Sequence, residues 1–334
     1  MTDQAADGPR TTLAAVAHAA GVSVPTVSRV LNGGPGVATA TRRRVEIMLR
    51  RYGYQRRASP GLVATVFDDL SCPWAVELLR GVEEVTSTTG TGMLVASATH
   101  AVAACRRWAT GTAPAPVRAV IAVNVDLPPP TRAELRRLGI ALVVVDPARD
   151  TVTGVPTIGA TNWAGGVSAA EHLITLGHRR IACVTGPPDV LCSRARLAGF
   201  RAGLEAAGIA SDPTLVRDGD FGHRSGYAAA ADLFDGGARP TAVFAASDTM
   251  AFGVCEAARR RGMRVPEDLS VVGFDDIPEA RFGAPPLTTV RQPLAEMGAL
   301  AARTALAPAG PAGLPASGVE LATTLVRRAS SAGI

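Results

Sequence analysis

Residues 12–31 confine the start of this chain to two short helices meeting at a tight turn. Leu13, Val16, Ala17 and Ala20 recur at helical spacing behind Thr12, a residue suited to an N-cap. Gly21 is the tight-turn residue that ends this helix. Ser23 can cap the next, and Pro25 falls in its first turn, where a missing N–H costs nothing. Val27, Val30 and Leu31 supply a buried face, leaving Thr26, Ser28, Arg29 and Asn32 on other faces. The run Asn32-Gly33-Gly34-Pro35-Gly36 is a break. A third helix follows from Thr41, with Val45, Met48, Leu49 and Tyr52 inside and Arg42, Arg43, Arg44, Arg50 and Arg51 outside. Helix, glycine turn, helix is the pattern of a unit that lays its second helix in a DNA major groove. Short polar side chains and one arginine there suit phosphate and base-edge contact.

A plain three-helix bundle with solvated charges would show the same periodicity, and the placement of charge separates the two. Residues 1–60 carry nine arginines against Asp3, Asp7 and Glu46, a net of +6. The whole chain carries +5, so residues 61–334 total −1. A basic module on a neutral body is the electrostatic footprint of nucleic-acid binding. All 34 basic residues are arginine, which reads as compositional bias and not as function.

With 334 residues, 47% of them hydrophobic, the chain has room for two or three units with sizeable cores. It has no uninterrupted apolar run of about eighteen residues, so no membrane span is expected. Its start, Met1-Thr2-Asp3-Gln4, carries an acid and no basic region ahead of an apolar core, so no signal peptide and a cytoplasmic location are expected. Five scattered cysteines, none in Cys-x-x-Cys spacing, and five histidines without ligand spacing argue against a disulfide framework and a metal site. No cofactor is expected.

Beyond the linker the pattern changes. Short β-branched runs (62–66, 93–96, 117–123, 140–145, 181–184, 215–217, 241–246 and 269–274) alternate with helical stretches (75–84, 131–138, 166–176, 194–207, 225–234, 250–261 and 294–306). Such alternation predicts parallel sheets with helices on both faces. Eight strands with a break in pattern near residues 155–162 predict two doubly wound α/β subdomains, and residues 319–327 read as a final strand. Ligands of such sheets bind beyond the strands' C-terminal ends. Acids stand at several of those ends: Asp68 and Asp69, Asp146, Asp248 after Ser247, and Asp275 with Asp276. Any one of them could merely cap the following helix. Repeated at matching strand ends, and joined by an arginine and an aromatic, they form a site suited to a sugar.

These motifs together resemble the lactose-repressor/galactose-repressor (LacI/GalR) family of transcriptional regulators. The head carries Val16-Ala17, Ala20-Gly21-Val22-Ser23 and Thr26-Val27-Ser28-Arg29-Val30-Leu31-Asn32. The body carries Leu176-Gly177-His178-Arg179-Arg180-Ile181, Arg196-Leu197-Ala198-Gly199-Phe200, Ala246-Ser247-Asp248-Thr249-Met250, and the run from Val265-Pro266 to Phe274-Asp275-Asp276. The resemblance implies a homodimer on a pseudo-palindromic double-stranded DNA operator, most often repressing. It also implies a body like the periplasmic sugar-binding proteins, with crossovers near residues 160, 291 and 319. The organisation expected is a disordered tail (1–10), a helix-turn-helix domain (11–55), a short linker (56–61), and two effector subdomains (62–160 with 291–318, and 161–290 with 319–334). The effector set implied is Ser71, Trp74, Asp146, Arg196, Phe221, Ser247, Asp248 and Asp275, with Arg196 as the pocket arginine and Phe221 as the stacking aromatic. The DNA-contacting set is Thr12, Ser23, Val24, Pro25, Thr26, Ser28, Arg29, Asn32 and Tyr54, with Val24, Pro25 and Arg29 facing bases.

Two departures stand out. The family usually has about fifteen or more residues between the third helix and the first strand, and they include a hinge helix whose central leucine wedges into the minor groove. Gln55 to Gly61 leaves seven, and no ordinary hinge helix fits. Val24 and Pro25 bear no hydrogen-bonding groups, so readout there is apolar, for instance against a thymine methyl. Rival readings are a sugar-binding protein without a regulatory role, a regulator answering to a nucleobase or protein partner, and an α/β enzyme. The last lacks a phosphate loop, a Gly-x-Ser-x-Gly elbow and zinc-ligand spacing.

Overall fold

The computed structural model of the chain describes residues 12–31, 36–52, 61–98, 116–149, 153–237, 239–307 and 318–334. It divides into two compact units, residues 1–60 and 61–334. The expected tail and linker, Gly61 excepted, lie outside the described residues, as do Asn32 and Tyr54.

The first unit is three helices: α1 (Leu13–Ala20), α2 (Val24–Leu31) and α3 (Thr39–Arg51). Thr12 caps α1, its hydroxyl accepting the Ala15 N–H at 3.2 Å. Gly21, at φ +61°, ends α1 by donating its N–H to the carbonyls of Ala17 and His18. Only a residue without a Cβ takes that left-handed turn freely. The Ser23 carbonyl accepts from Thr26 and Val27, and its hydroxyl lies 2.9 Å from that of Thr26. The turn sets α1 and α2 at 98°, an angle typical of helix-turn-helix units. Val16, Ala17, Ala20, Val27, Val30 and Val45 close a small core between the three helices. The third helix starts at Thr39, two residues earlier than the sequence suggests, and Arg42 is half-buried where an outward face was expected.

The second unit holds two six-stranded sheets. The first, in the order β11-β5-β4-β3-β1-β2, comprises β1 (Leu62–Phe67), β2 (Gly92–Ser97), β3 (Val117–Val123), β4 (Ala141–Val145), β5 (Thr157–Ala160) and β11 (Val319–Leu321), all parallel. The second, in the order β12-β10-β9-β8-β6-β7, comprises β6 (Ile181–Thr185), β7 (Val216–Asp218), β8 (Ala242–Ala245), β9 (Ser270–Asp275), β10 (Thr288–Arg291) and β12 (Thr324–Val326). Only β12 runs antiparallel to its neighbour. Among the described residues the helices are α4 (Pro73–Thr89), α5 (Pro129–Arg137), α6 (Asn162–Thr175), α7 (Leu191–Ala206), α8 (His223–Asp235), α9 (Asp248–Arg260) and α10 (Leu294–Leu306).

Both sheets are covered on both faces, which is why their strands read as near-continuous apolar runs. Val63, Ile121 and Val143 pack on Leu78, Val82 and Met297, while Ala64, Val66 and Val120 face Leu135. In the second sheet Val243 and Val271 meet Leu233, Val254 and Ala257, and Phe244, Val272 and Phe274 meet Ala169, Leu173 and Phe200. In each sheet the strand order reverses once, between β1 and β3 and between β6 and β8, which opens a crevice at the strands' C-terminal ends.

The chain passes between the sheets after β5, after β10 and between β11 and β12. The final strand expected at 319–327 is two strands, and residues 319–321 stay with the first sheet, so the last passage comes at residues 322–323 and not at 319. Thr161 and Thr323 bind the first and last passages together, hydroxyl to hydroxyl at 3.0 Å and Thr323 N–H to the Thr161 hydroxyl at 2.9 Å. Strands β5 (Thr-Ile-Gly-Ala) and β10 (Thr-Thr-Val-Arg), four residues each, escape the sequence pattern because glycine and polar residues interrupt them, whereas the equally short β8 (Ala-Val-Phe-Ala) is a continuous apolar run.

Candidate functional site

The loops at the C-terminal strand ends enclose a cavity of about 510 Å³. Asp68, Asp69, Ser71 and Cys72 come from the β1–α4 connection, Trp74 from the first turn of α4, Asn124 from the end of β3 and Asp146 from the end of β4. From the other sheet come Cys192 and Arg196 on α7, Asp220, Phe221 and His223 after β7, Ser247 after β8, Asp275 ending β9 and Gln292 after β10.

Arg196 is the hub. It is 3% exposed, and it reaches the cavity because α6 and α7 approach unusually closely. A Cβ on Gly166 would lie 2.1 Å from the Arg196 carbonyl oxygen, and one on Gly199 would lie 1.9 Å from that of Trp163. That contact lets Asn162, the first residue of α6, accept from Arg196 Nε at 2.8 Å. Nη1 donates to the Ala246 carbonyl at 2.6 Å and stands 3.5 Å from Asp275 Oδ1. The guanidinium lies 3.8 Å over the Phe274 ring and 5.7 Å from that of Phe221. One edge of the arginine is thus locked, and the group also sits among the residues lining the cavity, where a ligand oxygen can accept from it.

The acids around it are unequal. Burial pushes the Asp275 carboxyl up to about 6, against the pull of the Arg196 guanidinium and of the Gln292 amide, which donates to it at 2.7 Å. Asp146 is also raised to about 6 by desolvation, opposed by Arg196 and by the Ala160 N–H. Asp69 is held below the usual carboxylate range by the N–H and hydroxyl of Ser71, each at 2.8 Å. Asp220 is lowered by the Ser225 hydroxyl and the Gly222 N–H. Four lining residues hold left-handed backbone: Asn124 (φ 52°), Asp146 (44°), Phe221 (68°) and Asp275 (117°). Such conformations cost about 1–3 kcal/mol each in non-glycine residues and concentrate where a site must aim a side chain.

Of the expected effector set, Ser71, Trp74, Asp146, Arg196, Phe221, Ser247 and Asp275 line this one cavity. Ser247 also caps α9 through the Met250 N–H and donates its hydroxyl to the Phe221 carbonyl, holding the loop that carries that ring. Asp248 does not line the cavity and has to be corrected. Its carboxylate points inward, accepting from the Ile277 N–H at 2.9 Å and from the Thr289 hydroxyl at 2.5 Å, and burial raises its carboxyl well above the ordinary range. Asp276, another strand-tip acid, is taken up by Arg291 and Arg328. Asn124, Asp220 and Gln292 were not foreseen. Asn124 and Gln292 directly follow strands, so the strand-tip rule would have found both had it not been restricted to acids and, for Gln292, had β10 been recognised. The side chains of Asn124 and Gln292 each leave an oxygen, Oδ1 and Oε1, without a partner.

In the helical unit Ser23, Val24, Pro25 and Arg29 are exposed along α2, Thr12 is exposed at the start of α1, and Thr26 and Ser28 are half-buried. Among the described residues no group of three or more His, Cys, Asp or Glu is placed to hold a metal ion. No single helix there is long and apolar enough to cross a membrane.

A helix-turn-helix unit followed by a two-sheet α/β body with a cavity at the strand ends is the build of a DNA-binding regulator that responds to a small molecule. The family model for bacterial regulatory proteins of the lacI family matches residues 12–57, and that for periplasmic binding protein-like domains matches residues 170–331. The HTH-type transcriptional regulator DegA of Bacillus subtilis is 34% identical over 307 residues, 89% of this chain and 90% of DegA. A solved transcriptional regulator CelR–cellobiose complex is 34% identical with a TM-score of 0.72, covering 96% of this chain and all of that one. The lac repressor dimer bound to operator and the anti-inducer ONPF is 26% identical with the same TM-score, over 97% and 100% of the two chains. The chain belongs to the lacI family of bacterial regulatory proteins. It is a DNA-binding transcriptional regulator and not an enzyme.

Proposed function

We propose that this regulator is a cytoplasmic homodimer that holds a pseudo-palindromic operator through its helix-turn-helix units and binds a sugar or related polar metabolite in its α/β body. The observation that carries the effector reading is Arg196. It is buried, locked on one edge by Asn162 and Ala246, and part of a cavity wall that also holds Asp146, Asp275 and the Phe221 ring. Carboxylates accept from sugar hydroxyls, the guanidinium donates to them, and an aromatic face covers the apolar side of a ring. Support also comes from a similar regulator solved with cellobiose and from a similar repressor solved as an operator-bound dimer.

The operator is read by Val24 and Pro25 through apolar contact and by Arg29 through hydrogen bonds, with Thr12, Ser23, Thr26 and Ser28 positioning the unit on phosphates. Half-sites then lie about 34–36 Å apart, one helical turn. The ligand changes occupancy by favouring one arrangement of the two subdomains over another, with a coupling of about 1–3 kcal/mol between the sites.

The test is calorimetric titration of the purified protein with a panel of sugars and purines, cellobiose among them, followed by operator binding with and without any ligand found. Saturable binding of a sugar that shifts operator affinity is the expected result. Binding confined to purines, or turnover of a sugar, overturns the reading.

A further inference from the structure

We propose that Asp69 and Asp220 make the cavity selective by charge, so that it admits hydroxyl-rich ligands that are uncharged or cationic and turns away anions such as sugar phosphates and sugar acids. For the identity of the ligand this rests on the cavity being the effector site; the charge selectivity itself is a property of the cavity.

The two carboxylates come from opposite sheets, Asp69 from the loop after β1 and Asp220 from the loop after β7, and both line the cavity. Each is fastened in its ionised form. Asp69 accepts from the Ser71 N–H and hydroxyl, and Asp220 from the Gly222 N–H at 2.8 Å and the Ser225 hydroxyl at 2.5 Å. Donors of this kind stabilise a carboxylate and hold it negative at neutral pH. Neither carboxylate has an arginine partner among the described ion pairs. Arg196 is the one arginine among the described lining residues, and Asp275 at 3.5 Å with Asp146 nearby already answers its charge. An incoming anion therefore finds negative charge on both sides of the cleft and, among the described lining residues, no uncommitted cation, since His223 faces Glu256 at 3.3 Å.

A second observation points the same way. Gln292 is only 6% exposed and lines the cavity, yet its Oε1 has no partner. An unsatisfied buried acceptor calls for a donor. With Asp69 and Asp220 the wall is weighted toward acceptors, so the occupant is one that brings donors, hydroxyls or a protonated amine, and not an acceptor-only phosphate or carboxylate.

Two thiols in the wall allow the field to be read without knowing the ligand. Cys72 and Cys192 are half-buried lining residues, and Cys72 Sγ donates to Asp69 Oδ2 at 3.7 Å. The protein is labelled at low ionic strength with two methanethiosulfonate reagents of similar size, one bearing trimethylammonium and one sulfonate, and each site is scored by mass spectrometry. Burial pushes both thiols up to about 11, and because both reagents meet the same thiolate this cancels in their rate ratio. Relative to 2-mercaptoethanol, the cation-to-anion ratio should rise at least about tenfold, the low end of what a one-signed cleft does to local ion concentration. Asp69→Asn/Asp220→Asn should return it most of the way. Both side chains are exposed, and Asp69→Asn alone, read at Cys72, serves if the double variant is unfolded by circular dichroism. A ratio within about twofold of the free thiol overturns the proposal, and so does a raised ratio that the variants leave unchanged. Calorimetry with cellobiose and with glucose 6-phosphate runs alongside. Failure of every sugar to bind sinks the effector reading while the labelling ratio stands or falls by itself.

Discussion

Arg196 Nη1 stands 3.5 Å from Asp275 Oδ1, with the two side chains only 4% and 6% exposed. Taking two charges out of water is costly, and a pair like this holds only while both members are present. The arginine therefore holds the second subdomain together, besides the ligand-binding role proposed for it. Arg196→Ala should remove the ligand response and also lower the body's stability by about 3–5 kcal/mol, because Asp275 is left buried and unanswered. The double variant Arg196→Ala/Asp275→Asn should recover part of that loss in urea denaturation. Equal stability of the single and double variants would contradict the pairing.

Acid should act on the same pair with a definite sign. The folded-state carboxyls of Asp275 and Asp146 titrate at about 6, above the ordinary value of 3.8. A raised carboxyl contributes stability that is complete below the unfolded value and is lost as pH climbs through the folded one. Between about pH 6 and about pH 4 these groups therefore favour the folded body on the acid side. His172 and His178, both lowered by burial and tied to the C-terminal segment through Ser331 and the Ala332 carbonyl, pull the opposite way. Asp275→Asn separates the two effects. The variant should gain less thermal stability on acidification than the parent, or lose more, and matching shifts in melting temperature would refute the assignment.

The close approach of α6 and α7 gives a third expectation. A methyl on Gly166 would sit 2.1 Å from the backbone oxygen of Arg196 and cannot be absorbed by a side-chain rotation. Gly166→Ala should cost about 1–3 kcal/mol or more through overpacking. It should also weaken ligand binding, since the helices must part and Asn162 is carried away from Arg196. Ligand affinity and unfolding midpoint should fall together. A stable Gly166→Ala protein with full affinity would show that the approach does not position the arginine.

The exposed Arg29 of α2 provides a test of the head that spares the body. Arg29→Ala should weaken binding to genomic fragments recovered by binding-site mapping by at least about 1–3 kcal/mol, the worth of one good base contact. Circular dichroism should stay within about 0.5 kcal/mol of the parent, as for other exposed substitutions. Operator affinity should also fall steeply and linearly with salt on logarithmic axes. A flat salt response would exclude phosphate anchoring.

Much of the fold was legible because it is written in local terms. Thr12, Gly21 and Pro25 mark helix ends by chemistry that acts within a few residues, and α10 runs over the residues its periodicity indicates. The parallel strands announce themselves as apolar runs because both faces are covered. The short strands β5 and β10 do not, since their place is set by pairing with neighbours on both sides, some of them far along the chain. The strand-tip rule led to Asp146 and Asp275 but also to Asp248 and Asp276. Those two acids stand beside lining residues in sequence and yet face the protein interior.

The sequence by itself determined the two-sheet body, the basic helical head and the family, since these rest on periodicity, capping and charge placement along the chain. The tertiary structure decided which polar groups share a cavity. Whether a carboxylate at a strand end meets ligand, an arginine or a backbone N–H depends on its backbone angle and on partners 15 to 50 residues distant, as with Asp276 and Arg291 or Arg196 and Ala246. Only folding brings such partners within hydrogen-bonding range, and no local pattern encodes their arrangement.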